Sequence, residues 1–412
     1  MFSTHLLLKS ILIFILASCQ QNLPAQISSS ETTEKNEKII EKSLKVGAER
    51  IDDIIEIIGK HHIAIIANQT SKIGNTHLVD TFLANNVNIV KVFSPEHGFR
   101  GDADAGESVK SHTDSKTGLP VVSLYGDNKK PTNKQLEGID FLIFDLQDVG
   151  ARFYTYISTM YYAMEAAAEN GIPFIVLDRP NPTGSFVDGP IRKSGFESFV
   201  GVNPIPVIHG MTVGELAQMI NGEKWLKDEL QCDLTVISCL NYDKNQPYSL
   251  PVSPSPNLRS DAAIQLYPSL CLFEGTVVSI GRGTETPFEV FGHPSFQNVD
   301  DFIFEFTPVS SFGAKNPKLI NQKCYGKNLK DFYNGELASQ LEIGWLIEAY
   351  KAYGSKKSFF DRPRFFDLLA GTDELRKQII AGKSEQEIRD SWEKELNAFK
   401  ELRKKYVIYE SN

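Results

Sequence analysis

Cysteine is scarce: five in 412 residues, at positions 19, 232, 239, 271 and 324. No two stand as C-x-x-C, which excludes a zinc ribbon or a thioredoxin-type redox site. No H-x-H or H-E-x-x-H spacing occurs, so the usual signatures of a catalytic metal centre are missing. No G-x-S-x-G elbow marks a serine hydrolase, and no G-x-G-x-x-G follows an apolar run where a dinucleotide would bind. Positive charge is in deficit. With 43 Lys and Arg against 52 Asp and Glu, the net charge of −9 is unlike that of nucleic-acid binders, which carry a basic face. The apolar stretch Ile11–Ala17 is far too short to span a bilayer.

The remaining composition, 41% hydrophobic and 23% charged, is that of a globular protein long enough for two sizeable cores. Lys9, the apolar stretch and then Leu16-Ala17-Ser18-Cys19 resemble the signal and lipobox of bacterial lipoproteins, in which the cysteine is lipidated. Residues 1–19 are therefore expected to be a signal peptide and 20–45 a polar tether unable to form a core. Acyl chains on Cys19 would hold an exported body at a membrane, facing the periplasm or the cell exterior. Cys232 and Cys239 stand close enough in sequence to pair, but buried free thiols are expected.

From Val46 onward, apolar runs alternate with helical patterns. His62–Ala67, Ile89–Phe93, Val121–Leu124, Phe141–Phe144 and Phe174–Leu177 read as strands, and Val79–Ala84 and Phe153–Asn170 as helices, the latter stopped at Gly171. This order predicts a doubly wound, mostly parallel α/β sheet. The strands end in polar clusters: Asn68-Gln69, Glu96-His97 with Arg100, Asp102 and Asp104, Asp145 to Asp148, and Asp178-Arg179-Asn181. In a parallel sheet those carboxyl ends share one rim, where ligands bind.

Further along, Thr212 and Glu215 form a capping box, which places His209 beside a helix start. Pro251–Pro256 (PVSPSP) reads as a hinge or domain boundary. A second Gly-rich region holds Glu274, Arg282 and Glu285, the last two placed to reach a ligand or each other. Ser384 and Glu387 form another capping box. Ile388, Trp392, Leu396, Phe399 and Leu402 then recur at helical spacing, with Arg389, Glu393, Lys400 and Arg403 expected on a solvated face.

Three chemistries fit these residues. A glycoside hydrolase needs a carboxylic acid to protonate the leaving oxygen and usually a second carboxylate. Glu96 suits the first role; Asp145, Asp148, Asp178 or Glu165 suits the second. A metal-dependent hydrolase would draw on His97, Asp145, Asp148 and His209, though their spacing matches no ligand motif. A non-catalytic sugar-binding lipoprotein would use the same cleft for capture alone.

The segments SPEHGFRGDADAGE, DLQDVGARFYTYISTM, VLDRPNP, IPVIHGMTVGELA, PSPNL and EGTVVSIGRGTETPFE together resemble the exo-β-N-acetylmuramidases, a family of peptidoglycan-recycling hydrolases once catalogued as a domain of unknown function. The likeness runs in register from about residue 46 to Tyr409. It implies a Rossmann-like catalytic domain over 46–257, a smaller C-terminal α/β domain over 258–412, and an active site in the cleft between them. It also implies release of N-acetylmuramic acid (MurNAc) from the non-reducing end of chains in which it is β-1,4-linked to N-acetylglucosamine (GlcNAc). No cofactor or metal is expected. Glu96 matches the family's proposed catalytic glutamate, and Glu165 is the candidate for a second. His97, Arg100, Asp145, Gln147, Asp148, Arg152, Asp178, Arg179, His209, Arg282 and Glu285 are the expected substrate-binding set. The lactyl carboxylate of MurNAc calls for a bidentate arginine, with Arg152 favoured over Arg100, Arg179 and Arg282. The chain has PVSPSPN where the family has WxPPSPN, so a stacking platform is either absent or supplied by Tyr125, Tyr154 or Tyr156.

Overall fold

The computed structural model describes residues 43–100, 111–354 and 358–409. The expected signal segment with Cys19, most of the tether, and Asp102 and Asp104 lie outside the described residues.

Strand β1 (Ile63–Ala67) is buried along its whole length. Its side chains alternate between two cores: Ile63, Ile65 and Ala67 face one, Ala64 and Ile66 the other. A strand apolar on both faces belongs inside a sheet covered by helices on both sides. The sheet has seven strands: β1, β2 (Ile89–Ser94), β3 (His112–Thr113), β4 (Pro120–Ser123), β5 (Phe141–Asp145), β6 (Phe174–Leu177) and β7 (Leu234–Ile237), in the order β3-β4-β2-β1-β5-β6-β7. All neighbours are parallel except β3 and β4. The chain winds outward from β1 through β2 to β4, then returns to β5 on the other side, so the order reverses between β1 and β5. Crevices at such reversals are where doubly wound folds bind ligands.

Helices α1 (Ile51–Ile58) and α2 (Leu78–Ala84) supply one covering layer. Helices α3 (Tyr156–Asn170) and α4 (Val213–Gly222) supply the other. Gly171 ends α3 in the left-handed conformation at φ +63°, and Thr212 and Glu215 close the expected capping box on α4. Strand β7 was not evident in the sequence: its residues are only partly buried except Ile237, which blurs the apolar run.

The second half carries a three-stranded antiparallel sheet, β8 (Val290–His293), β9 (Phe304–Phe306) and β10 (Cys324–Asn328), with β10 central. Around it lie α5 (Asp261–Leu270), α6 (Gly344–Ala352), α7 (Pro363–Ala370), α8 (Glu374–Ile380) and α9 (Glu385–Arg403). One apolar core runs unbroken from Phe144 and Phe174 to Phe291, Trp345 and Leu396, so the two halves share it. Cys232, Cys239, Cys271 and Cys324 are buried free thiols.

Helix α9 buries Ile388, Trp392, Leu396 and Phe399. Its opposite face is not wholly solvated. Arg389 pairs with Asp188 at 2.9 Å and Glu385 at 2.8 Å, and Arg403 donates to the Gly210 carbonyl at 2.6 Å. These long cations reach across the seam to a carboxylate and a carbonyl of the first half, Asp188 and Gly210. The chain then returns to the first sheet. The Tyr409 hydroxyl donates to Asp178 at 2.5 Å and accepts from the Cys239 N–H at 2.8 Å.

Tyr409→Phe leaves that buried N–H and carboxylate short of a partner. It should lower unfolding free energy by about 1–3 kcal/mol in a urea titration, whereas Glu393→Ala on the same final segment should change it by less than about 0.5 kcal/mol.

Candidate active site

Where β2 ends, Pro95 stops the ladder and the chain turns through His97 (φ +71°) and Gly98 (φ +79°), closed by a Gly98 N–H to Pro95 carbonyl bond of 3.2 Å. A left-handed histidine is uncommon, and its effect is to separate two neighbours: His97 is buried, while Glu96 stays partly exposed. Thr155, at the N-terminus of α3, donates its hydroxyl to Glu96 Oε2 at 3.1 Å. Burial, with the Glu96 carboxylate beside it, raises the Tyr125 phenol above its usual range.

Most of the other expected ligands brace the rim instead. Asp145 and Arg179 form a buried bidentate ion pair at 2.6 and 2.9 Å. Gln147 donates to the Pro180 carbonyl at 2.7 Å. Asp148 accepts from the Gly150 N–H at 2.7 Å and lies 3.5 Å from the fully buried His209. Asp178 accepts from Thr212, the Gly214 N–H and Tyr409. Burial pushes Asp178 up to about 6 against the opposing effect of those bonds. Among the described residues no three His, Cys, Asp or Glu are grouped to hold a metal ion.

The favoured lactyl partner, Arg152, is sealed in the core. Its guanidinium donates to the carbonyls of Pro190 at 2.8 Å, Ile205 at 2.7 Å and Leu369 at 2.8 Å. Burial, with Arg192 nearby, lowers it to about 9, as expected for a cation without a buried counter-ion. Arg100 is engaged by Asp114 at 2.9 Å. Burial would raise Asp114, but hydrogen bonds from Arg100 and Thr117 outweigh it and bring the carboxyl down to about 2.

Glu165 lies ten residues beyond Thr155 along α3, roughly 15 Å at the helical rise. There it holds Lys130 at 2.6 Å and the Lys227 N–H at 3.1 Å, and it does not line the cleft. Glu285 is exposed, and Arg282 pairs with Glu274 at 2.8 Å rather than with it. The chain turns between residues 282 and 285, which separates two groups that stand close in sequence.

What remains of the expected set opens onto one cleft of about 1080 Å³. Glu96, Tyr125, Phe153 and Phe199 line it from the first half, and Glu274, Arg282, Lys315, Lys318 and Arg362 from the second. Tyr125 and Phe199 sit 6.3 Å apart, and Phe199 stacks on Tyr162, giving the cleft an aromatic wall. Tyr154 and Tyr156 contribute no such wall. Both hydroxyls donate to the Pro254 carbonyl, at 2.8 and 3.2 Å, which pins the PVSPSP bend to the site instead of leaving it a hinge. Behind Glu96 lies a recess of about 70 Å³ lined by His97, Tyr156 and Ser255 and shared with Arg282. A cleft with five cations and two carboxylates in a chain of net charge −9 focuses positive potential on an anionic ligand. Phe199, Lys129 and the Lys315–Lys318 loop carried no sequence signal; Glu274 shared a motif with Arg282.

Comparison with known proteins gives the following matches. The family model described as exo-beta-N-acetylmuramidase NamZ matches in two parts, N-terminal over residues 63–262 and C-terminal over 265–409. The Bacillus subtilis peptidoglycan beta-N-acetylmuramidase NamZ is 39% identical over 408 residues, spanning 93% of this chain and 95% of that protein. Among solved structures, a DUF1343 family protein from Bacteroides fragilis is 46% identical with a TM-score of 0.80, covering 90% of this chain and all of that one. A second from the same organism is 32% identical with a TM-score of 0.75, covering 89% and 99%.

Because Arg152 is structural, Arg152→Met should cost about 3 kcal/mol or more by stranding buried carbonyls. Thermal or urea unfolding would register that loss. A variant of wild-type stability with weakened sugar binding would contradict the assignment.

Proposed function

The chain belongs to the exo-β-N-acetylmuramidase NamZ family, and from that premise we propose that it is an exo-lytic glycoside hydrolase of cell-wall turnover. It releases MurNAc from the non-reducing end of MurNAc-β-1,4-GlcNAc fragments. The observation that carries the reading is Glu96: of the described strand-end carboxylates it alone lines the cleft. Hydrolysis begins with proton transfer from the Glu96 carboxyl to the glycosidic oxygen as its bond to the anomeric carbon breaks. The Thr155 hydroxyl fixes the carboxyl's orientation. The other carboxylate of the described lining, Glu274, is engaged by Arg282. That favours attack by the substrate's own 2-acetamido oxygen on the anomeric carbon, after which water opens the ring so formed. The aromatic wall of Tyr125 and Phe199 supports the sugar ring, and the cationic lining suits a carboxylated sugar.

The same proposal includes an address. Lipidated Cys19 anchors the body to a membrane, with the polar stretch after it as tether. The lipobox-like Leu16-Ala17-Ser18-Cys19 supports this.

Glu96→Gln should reduce kcat on MurNAc-β-1,4-GlcNAc by about 10²–10⁴-fold at an unchanged thermal midpoint. The loss should be smaller on 4-nitrophenyl β-MurNAc, whose leaving group needs less protonation. Equal losses on both substrates would remove Glu96 from the acid role. For the address, Cys19→Ser should move the protein from the membrane fraction to the soluble one; retention at the membrane would refute lipidation at that residue.

A further inference from the structure

MurNAc differs from GlcNAc by a lactyl ether ending in a carboxylate, so discrimination requires a cation close to the bond being broken. We propose that Arg282 is the receptor for that carboxylate, held in place by Glu274 and Phe288. The inference rests on the muramidase reading above, whose subsite it completes.

Three arginines of the expected set are already committed. Arg152 is taken by three carbonyls, Arg179 by Asp145, and Arg100 by Asp114. Arg282 is committed at one corner only. Its Nε donates to Glu274 Oε1 at 2.8 Å, and its guanidinium lies 4.8 Å from the centre of the Phe288 ring. Among the described residues neither Nη atom has a hydrogen-bond acceptor, and the side chain keeps 26% of its exposure. An arginine fixed through Nε and stacked on an aromatic face presents its two Nη groups as a preformed fork, the geometry that takes a carboxylate bidentately.

The support under that fork is itself unusual. Phe288 adopts φ +61°, a conformation that a bulky side chain takes only when its surroundings hold it there. Its N–H is bonded to the Ile280 carbonyl at 2.9 Å, so the loop folds back and sets the ring beneath the guanidinium.

Position decides between Arg282 and the other cations of the cleft. The lactyl group belongs to the sugar whose glycosidic bond breaks, so its receptor must border the same recess as Glu96. Arg282 lines both the cleft and the recess behind Glu96, whereas Lys129, Lys315, Lys318 and Arg362 line the cleft alone. Lys318 is also drawn to the Thr276 carbonyl and towards Asp361.

The test is calorimetric binding of two probes, free MurNAc and its lactyl amide, to the full chain. Wild type is expected to prefer the acid on the order of 10²-fold, the scale of a paired buried charge. Arg282→Gln should bind both probes alike, with the amide little changed and the thermal midpoint retained. Arg282→Lys keeps a charge but no fork and should lose about ten-fold of the preference. Absence of a preference in wild type, or an undiminished one in either variant, overturns the assignment; if Arg282→Gln does not fold, the lysine variant decides. Neither probe contains a glycosidic bond. Failure to hydrolyse MurNAc-β-1,4-GlcNAc would therefore sink the muramidase reading separately, while acid preference lost in the variants would still place the carboxylate at Arg282.

Discussion

The ion pair between Asp145 and Arg179 is the contact on which the rim of the main sheet depends. Both side chains are almost completely buried, and the two bonds between them are short and parallel. Charges at such a depth persist only when paired with good geometry. This pair joins the end of β5 to the loop after β6, and Arg179 reaches on to the Lys72 carbonyl beyond β1. Three strand ends are thereby fixed relative to one another across the point where the strand order reverses.

With the rim fixed, the adjoining strand end can present chemistry. The left-handed turn at His97 places Glu96 towards the cleft, against the hydroxyl at the start of α3. The facing wall comes from the second half of the chain, whose apolar core is continuous with that of the first. Arg389, Arg403 and Tyr409 add polar contacts across the same seam. A cleft built this way holds its opposed groups, Glu96 on one side and the Arg282–Glu274 pair on the other, at a set separation. Pre-organisation of that kind reduces the cost of ordering a sugar for reaction.

The sheet was legible because buried parallel strands are apolar on both faces, and five of them stand out as unbroken runs bounded by polar loops. Both capping boxes were legible because their chemistry is local. Glu96 was legible as a carboxylate directly after a buried strand. Roles were harder to read. Asp145, Asp148, Asp178 and Arg179 have the residue types of a binding site, but here Asp145 and Arg179 hold each other, Asp178 is held by Thr212, Gly214 and Tyr409, and Asp148 by the Gly150 N–H. Arg152 follows the same logic with carbonyls 38 to 217 residues away as partners, which no local pattern encodes. Arg282 was placed with Glu285 by proximity in sequence, and a turn gave it Glu274 instead.

Everything in the cleft serves the removal of one MurNAc at a time from a non-reducing end. The most direct test is mass-spectrometric analysis of a digest of the tetrasaccharide MurNAc-GlcNAc-MurNAc-GlcNAc by the full chain. Free MurNAc and the trisaccharide GlcNAc-MurNAc-GlcNAc are expected as the first products, with no further shortening. Appearance of disaccharides, release of GlcNAc first, or an intact tetrasaccharide would contradict it.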